Sequence, residues 1–69
     1  MQQQLMDFIQ DILISLHENI HELRERRNFA DPEEQSHIDS KLLAYNEMLA
    51  IIRYSADEFD IPKGDIGIS

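Results

Sequence analysis

Apolar residues recur at Leu5, Ile9, Ile12, Leu16, Ile20 and Leu23, a spacing of three or four that predicts an amphipathic helix over about residues 3–28. No Gly or Pro interrupts this stretch. Asp7 and Asp11 lie near its start and Arg24, Arg26 and Arg27 at its end, placements that both suit the helix dipole. A second stretch reads Ile38, Leu42, Tyr45, Leu49, Ile52, Ala56 and Phe59, with steps of four and three throughout. That is a heptad seam, and it predicts a helix over about residues 32–60.

The junction between them carries the most specific local signal. Asp31 is a good N-cap because its carboxylate accepts a free backbone N–H. Pro32 suits the first helical position, where a missing N–H loses nothing, and Glu34 three residues on completes a capping-box pattern. Residues 29–31 are therefore a short loop. At the other end Ile61 precedes Pro62 and is biased away from helix. Gly64 and Gly67 follow, so residues 61–69 read as a tail. Ile66 and Ile68 alternate with Gly67 and Ser69, a period that an extended segment presents to one surface. The tail is expected to fold back over exposed apolar surface, or to dock in extended form on a partner.

In an antiparallel hairpin, facing residues share a constant index sum. Leu5 with Ala56, Ile9 with Ile52, Ile12 with Leu49, Leu16 with Tyr45 and Leu23 with Ile38 all sum to 61, and only Asn19 opposite Leu42 breaks the apolar match. The predicted fold is all-α, a long antiparallel two-helix hairpin. Apolar residues are left over. Met6, Phe8, Leu13 and Ile20 widen the first helix's stripe, Ile14 lies further round, and Leu43, Met48 and Ile51 lie off the second seam. Two hairpins pairing as a dimeric four-helix bundle would cover them, and two-fold dimers are the commonest oligomers. Met6, Phe8, Leu13, Ile20, Met48 and Ile51 are the expected oligomer interface.

Size sharpens that expectation. A chain of 69 residues buries only about 60% of its unfolded surface, so a lone core is marginal. Small folds add disulfides, a metal or a partner subunit, and here there is no cysteine. A net charge of −8, from 14 acidic and 6 basic side chains, is repelled by phosphates and anionic lipid. Direct nucleic-acid binding is not expected, whereas a basic protein partner is. Met1-Gln2-Gln3-Gln4 lacks the basic start of a secretory signal. The stretch from Leu5 to Leu16 is too short and too charged to span a bilayer. A cytoplasmic protein with no membrane contact is expected.

One motif resembles chemistry. His17-Glu18-Asn19-Ile20-His21 has the H-E-x-x-H pattern in which two histidines one turn apart hold zinc and the glutamate is general base. Catalytic zinc takes a third protein ligand and an open position, and the candidates are His37, Glu33 and Glu34. The chain is too short to build a cleft between subdomains, and the further glycine and histidine of the extended motif are absent. His17, His21 and His37 therefore stand as weak metal candidates, and no cofactor is expected. Ser15, Ser36, Ser40 and Ser55 have no triad context. Arg24, Arg26 and Arg27 are expected to pair with Glu22 and Glu25. Asp57, Glu58 and Asp60 oppose the helix dipole, which suggests a frayed end.

Asp39 with Tyr45 six residues on, inside a short two-helix hairpin, resembles the sporulation-regulator aspartyl-phosphatase family, whose members are small antiparallel hairpins. The family's motif has a serine four residues before the aspartate. That position here is Gln35, with Ser36 one residue out of register. No function is carried over from the resemblance. The expectation is a non-enzymatic protein–protein interaction module (regulator, adaptor or inhibitor) acting as a homo-oligomer. The alternatives are a nucleic-acid-mimicking inhibitor of a basic target and, more remotely, a metal-binding protein or zinc hydrolase using His17 and His21.

Overall fold

The computed structural model describes residues 2–66 and is a helical hairpin: α1 spans Gln3–Arg27, α2 spans Pro32–Glu58, and a single 3-10 turn covers Lys63–Ile66. It measures 44 × 20 × 14 Å. A helix with its side chains is about 10–12 Å across, so the molecule is a plate one helix thick. Among the described residues no third layer covers either broad face.

The loop forms as the capping residues dictate. Asp31 is extended and its carboxylate accepts the Glu34 N–H at 2.8 Å. The Glu34 carboxylate turns back to Arg26 at 3.5 Å. Gln35 closes the other side, its amide donating to the carbonyls of Arg27 at 3.3 Å and Ala30 at 3.2 Å. The carbonyls that the end of α1 leaves free are thus met by Gln35 at Arg27 and by the loop's own N–H groups, Asn28 to Glu25 and Phe29 to Arg26, both at 3.1 Å.

The core is a small cluster of Leu13, Ile20, Leu49 and Ala56, with Ile9, Leu16, Leu42, Tyr45, Ile52 and Ile61 packed against it, and Ile38 buried nearer the loop. On α2 the heptad seam faces inward from Ile38 to Ala56. On α1 the seam is rotated from the expected one. Leu13 and Ile20, expected between copies, are 1% and 6% exposed inside the hairpin itself, while Leu5 and Ile12, expected on the seam, are 51% and 39% exposed.

The physical reason lies in Asn19. The first stripe holds two overlapping sets of three-four spacing that share Ile9, Leu16 and Leu23. The set with Leu5 and Ile12 buries Asn19; the set with Met6 and Leu13 replaces it with Ile20 and has no polar member. Burying an amide without full hydrogen bonding costs about 1–3 kcal/mol, so the wholly apolar set turns inward. Asn19 stays exposed at the edge, where its amide donates to the Tyr45 hydroxyl at 3.2 Å.

The second difference is at the end of α2. Phe59, expected to close the seam, is 74% exposed. The helix stops at Glu58, and Asp60 adopts a left-handed backbone with φ 55°. The Ile61 N–H reaches the Ala56 carbonyl at 2.8 Å and the Asp60 N–H reaches Asp57 at 3.2 Å. These are the two bonds of a Schellman motif, which pairs the residue after the left-handed one with the helix's last turns. Ile61 therefore takes the place on the core that Phe59 was expected to fill. Lys63 Nζ sits 2.9 Å from an Asp57 oxygen, so the acidic end is closed rather than frayed. The 3-10 turn lies against both helices. Lys63–Ile66 thus forms a turn rather than an extended segment, and Gly67, Ile68 and Ser69 lie outside the described residues.

Asp60 holds the position in this motif that glycine usually fills. Asp60→Gly is expected to stabilise the hairpin by about 0.5–1 kcal/mol, by relieving the left-handed strain and removing a negative charge from a helix C-terminus. Thermal unfolding followed by circular dichroism checks this as a raised Tm.

Candidate functional site

Two depressions run between the helices. The first, about 490 Å³, lies toward the loop and is lined by Asn19, Glu22, Leu23 and Arg26 of α1 and by Lys41, Ala44, Tyr45 and Met48 of α2. The second, about 270 Å³, lies toward the open end of the hairpin. Its walls are Ile9, Ile12, Leu13, Ile51, Ile52, Ala56, Phe59 and Ile61, with Ser55 as the only polar side chain. Ile12, Asn19 and Arg26 are seven residues apart, as are Lys41, Met48 and Ser55. Residues at that spacing share one side of a helix, so both depressions open on the same broad face.

That face is apolar at the open end and charged toward the loop. Leu5, one heptad before Ile12, extends its apolar half. So does Phe8, which is 63% exposed; Ile51 is 64% exposed and Met48 is also exposed. Of the expected interface set, Phe8, Met48 and Ile51 are therefore at the surface, Leu13 and Ile20 are in the core, and Met6 is half-buried on the other flank of α1. Leu5, Ile12 and Phe59 join the exposed set. The signal that could have found Leu5 and Ile12 is Asn19: once it is kept off the seam, both must rotate out.

The histidines are not brought together. His17, His21 and His37 are all exposed. His17 and His21 stand one turn apart, but His21 Nε2 lies 3.1 Å from the Glu25 carboxylate. Among the described residues no group of three or more His, Cys, Asp or Glu side chains is placed to hold a metal ion. The donors therefore do not assemble the three-ligand set that catalytic zinc takes.

Arg26 and Arg27 are engaged across the loop instead of with Glu22 and Glu25. Arg26 meets Glu34, and Arg27 grips Asp39 with two nitrogens, at 2.7 and 3.2 Å. The Arg27 hydrogen bonds hold the Asp39 carboxyl below its ordinary pKa and push the guanidinium's up. A depressed carboxylate stabilises the fold above its unfolded value of about 3.9 and loses that contribution as pH falls through the lower folded value. Asp39→Asn is therefore expected to lower the Tm at pH 7, with the gap from the parent protein narrowing as the pH falls below the unfolded value of about 3.9. Melts across that range check it.

Comparison with protein-family models, curated proteins and solved structures finds no match for this chain. The likeness to the aspartyl-phosphatase hairpins thus rests on Asp39 and Tyr45 alone. Asp39 is clasped by Arg27, and the Tyr45 hydroxyl accepts from Asn19. No helix among the described residues is long and apolar enough to cross a membrane.

Proposed function

We propose that this chain is a non-enzymatic protein–protein interaction module that works as a homo-oligomer, pairing through the face that carries both depressions. The observation behind it is the one-sided exposure of Leu5, Phe8, Ile12, Met48, Ile51 and Phe59 on a plate one helix thick. An exposed aromatic offers roughly 150–250 Å². At 63% and 74% exposure, Phe8 and Phe59 together present about 200–350 Å². With four aliphatic side chains added, the patch passes the few hundred Å² that monomers ordinarily leave in contact with water. The acidic outer side of α1, with Asp7, Asp11 and Glu18 exposed, is left free for a basic protein partner.

A specific observation also favours the second reading, an acidic inhibitor that mimics nucleic acid. Asp7, Asp11, Glu18, Glu22 and Glu25 are all exposed, and their helical phase sets them in one row along the outer side of α1. The solvated side of any amphipathic helix carries charge, so the self-association reading is preferred.

If folding and pairing are coupled, dilution must destabilise the fold. The Tm is expected to rise by several degrees between about 5 and 500 μM protein. A Tm that does not move over that range speaks against self-association. Capture of a basic groove-bearing protein by the monomer, abolished by neutralising the α1 carboxylates, would transfer the function to the second reading.

A further inference from the structure

We infer that the second copy covers this face with its two-fold axis running along the hairpin's length, so that both loops lie at one end and α1 of each copy lies on α2 of the other. The inference rests on the homo-oligomer reading and adds to it the geometry and the pairing residues.

A rotation about an axis parallel to the helices leaves every height unchanged. A residue of α1 must then meet residues of the other copy's α2 that stand at its own level. The hairpin's own cross-helix contacts set that level. Arg26 with Glu34, Gln35 with the Arg27 carbonyl, Asn19 with Tyr45 and Arg27 with Asp39 have index sums between 60 and 66, centred on 63. The outward-facing residues obey the same sum. Ile12 falls opposite Ile51 of the second copy, Phe8 opposite Ser55, Asn19 opposite Ala44, and Glu22 opposite Lys41.

Two consequences favour this arrangement. Apolar half lies on apolar half, and Leu5 reaches the level of the other copy's Phe59. Glu22 and Lys41, which flank the loop-end depression and form no ion pair among the described residues, each meet the opposite charge, so the pair forms twice, once in each half of the interface. A crosswise two-fold, with loops at opposite ends, sets α1 on α1 and α2 on α2: through the hairpin's middle it puts Ile51 on Lys41 and Ile12 on Asn19, and at every height it keeps Glu22 from Lys41. An isologous interface has to be complementary to itself, and of the two axes the lengthwise one alone joins apolar half to apolar half and Glu22 to Lys41 together.

The chain's lack of cysteine makes the geometry testable by crosslinking the full-length protein. Ser15→Cys and Met48→Cys, mixed and oxidised, are expected to form the 15–48 disulfide between chains. Ser15→Cys alone stays uncrosslinked. A Ser15–Ser15 crosslink by the single variant would establish the crosswise axis and overturn the inference. A dimeric mass with neither crosslink would place the interface elsewhere and overturn it too. A monomeric mass for the parent protein would instead defeat the homo-oligomer reading on which it rests.

A charge exchange tests the pairing without touching the apolar contacts. Glu22→Lys and Lys41→Glu are each expected to weaken self-association roughly tenfold. Mixing the two variants, or combining both changes in one chain, restores it. Failure of both combinations to restore association would overturn the assigned pair.

Discussion

Leu13→Ala is expected to remove about 2–5 kcal/mol of stability, the range for truncating a buried leucine. Leu13 is the most buried large side chain of the hairpin, at 1% exposure, and the helices around it cannot collapse to fill the gap without breaking the packing of Leu49 and Ala56. At roughly 0.05–0.15 kcal/mol per residue, a fold of this length has only about 3–10 kcal/mol in total. The variant should therefore be largely unfolded at 37 °C by circular dichroism. Its neighbour gives the control. Ile12→Ala, on the outer side of the same turn, should leave the helical signal of a concentrated sample nearly unchanged. Equal losses at the two positions would mean that α1 presents a different face to α2.

Ile51→Glu carries the second large effect, on association. Ile51 is 64% exposed in the hairpin, and glutamate is as good a helix former as most residues, so the change does not oppose the helix. In the proposed dimer it places a carboxylate against Ile12 of the other copy, and symmetry repeats the insult. Burying an unpaired charge is expensive, and the two sites together should raise the dissociation constant at least about 100-fold, a hot-spot magnitude. Sedimentation velocity at 20–200 μM should show the shift to monomer. If the mass is unchanged, Ile51 is not at the interface.

The fold was legible in the sequence because its strongest signals are local and agree with one another. Asp31, Pro32 and Glu34 set where α2 starts, and the strict heptad from Ile38 to Ala56 fixes its inward face. The phase of α1 was less legible. Its apolar stripe is wide enough to offer two seams, and the choice between Ile12 and Leu13 depends on what α2 places opposite. Only the polar Asn19 distinguishes them. That single rotation also altered the candidate face: Leu13 and Ile20 left it, and Leu5 and Ile12 joined it.

The end of α2 was hidden for a different reason. A Schellman motif is normally announced by glycine, and here Asp60 holds the left-handed position. Phe59 therefore looked like the last seam residue when Ile61 was. The partners of Arg26 and Arg27 were missed because the sequence neighbours Glu22 and Glu25 compete with Glu34 and Asp39, which only the turn brings close. The histidine pattern was legible as a pattern, but its chemistry depends on a third donor that sequence spacing alone does not place.

Sedimentation equilibrium on the unmodified chain tests the central claim most directly, because it reads mass without reference to shape. At about 100 μM the hairpin is expected to sediment at twice the chain's 8.1 kDa, with mass falling toward that of one chain on dilution. A single species of 8.1 kDa at every concentration, fully helical and cooperatively folded, would contradict it: the open face would then not be covered by a second copy.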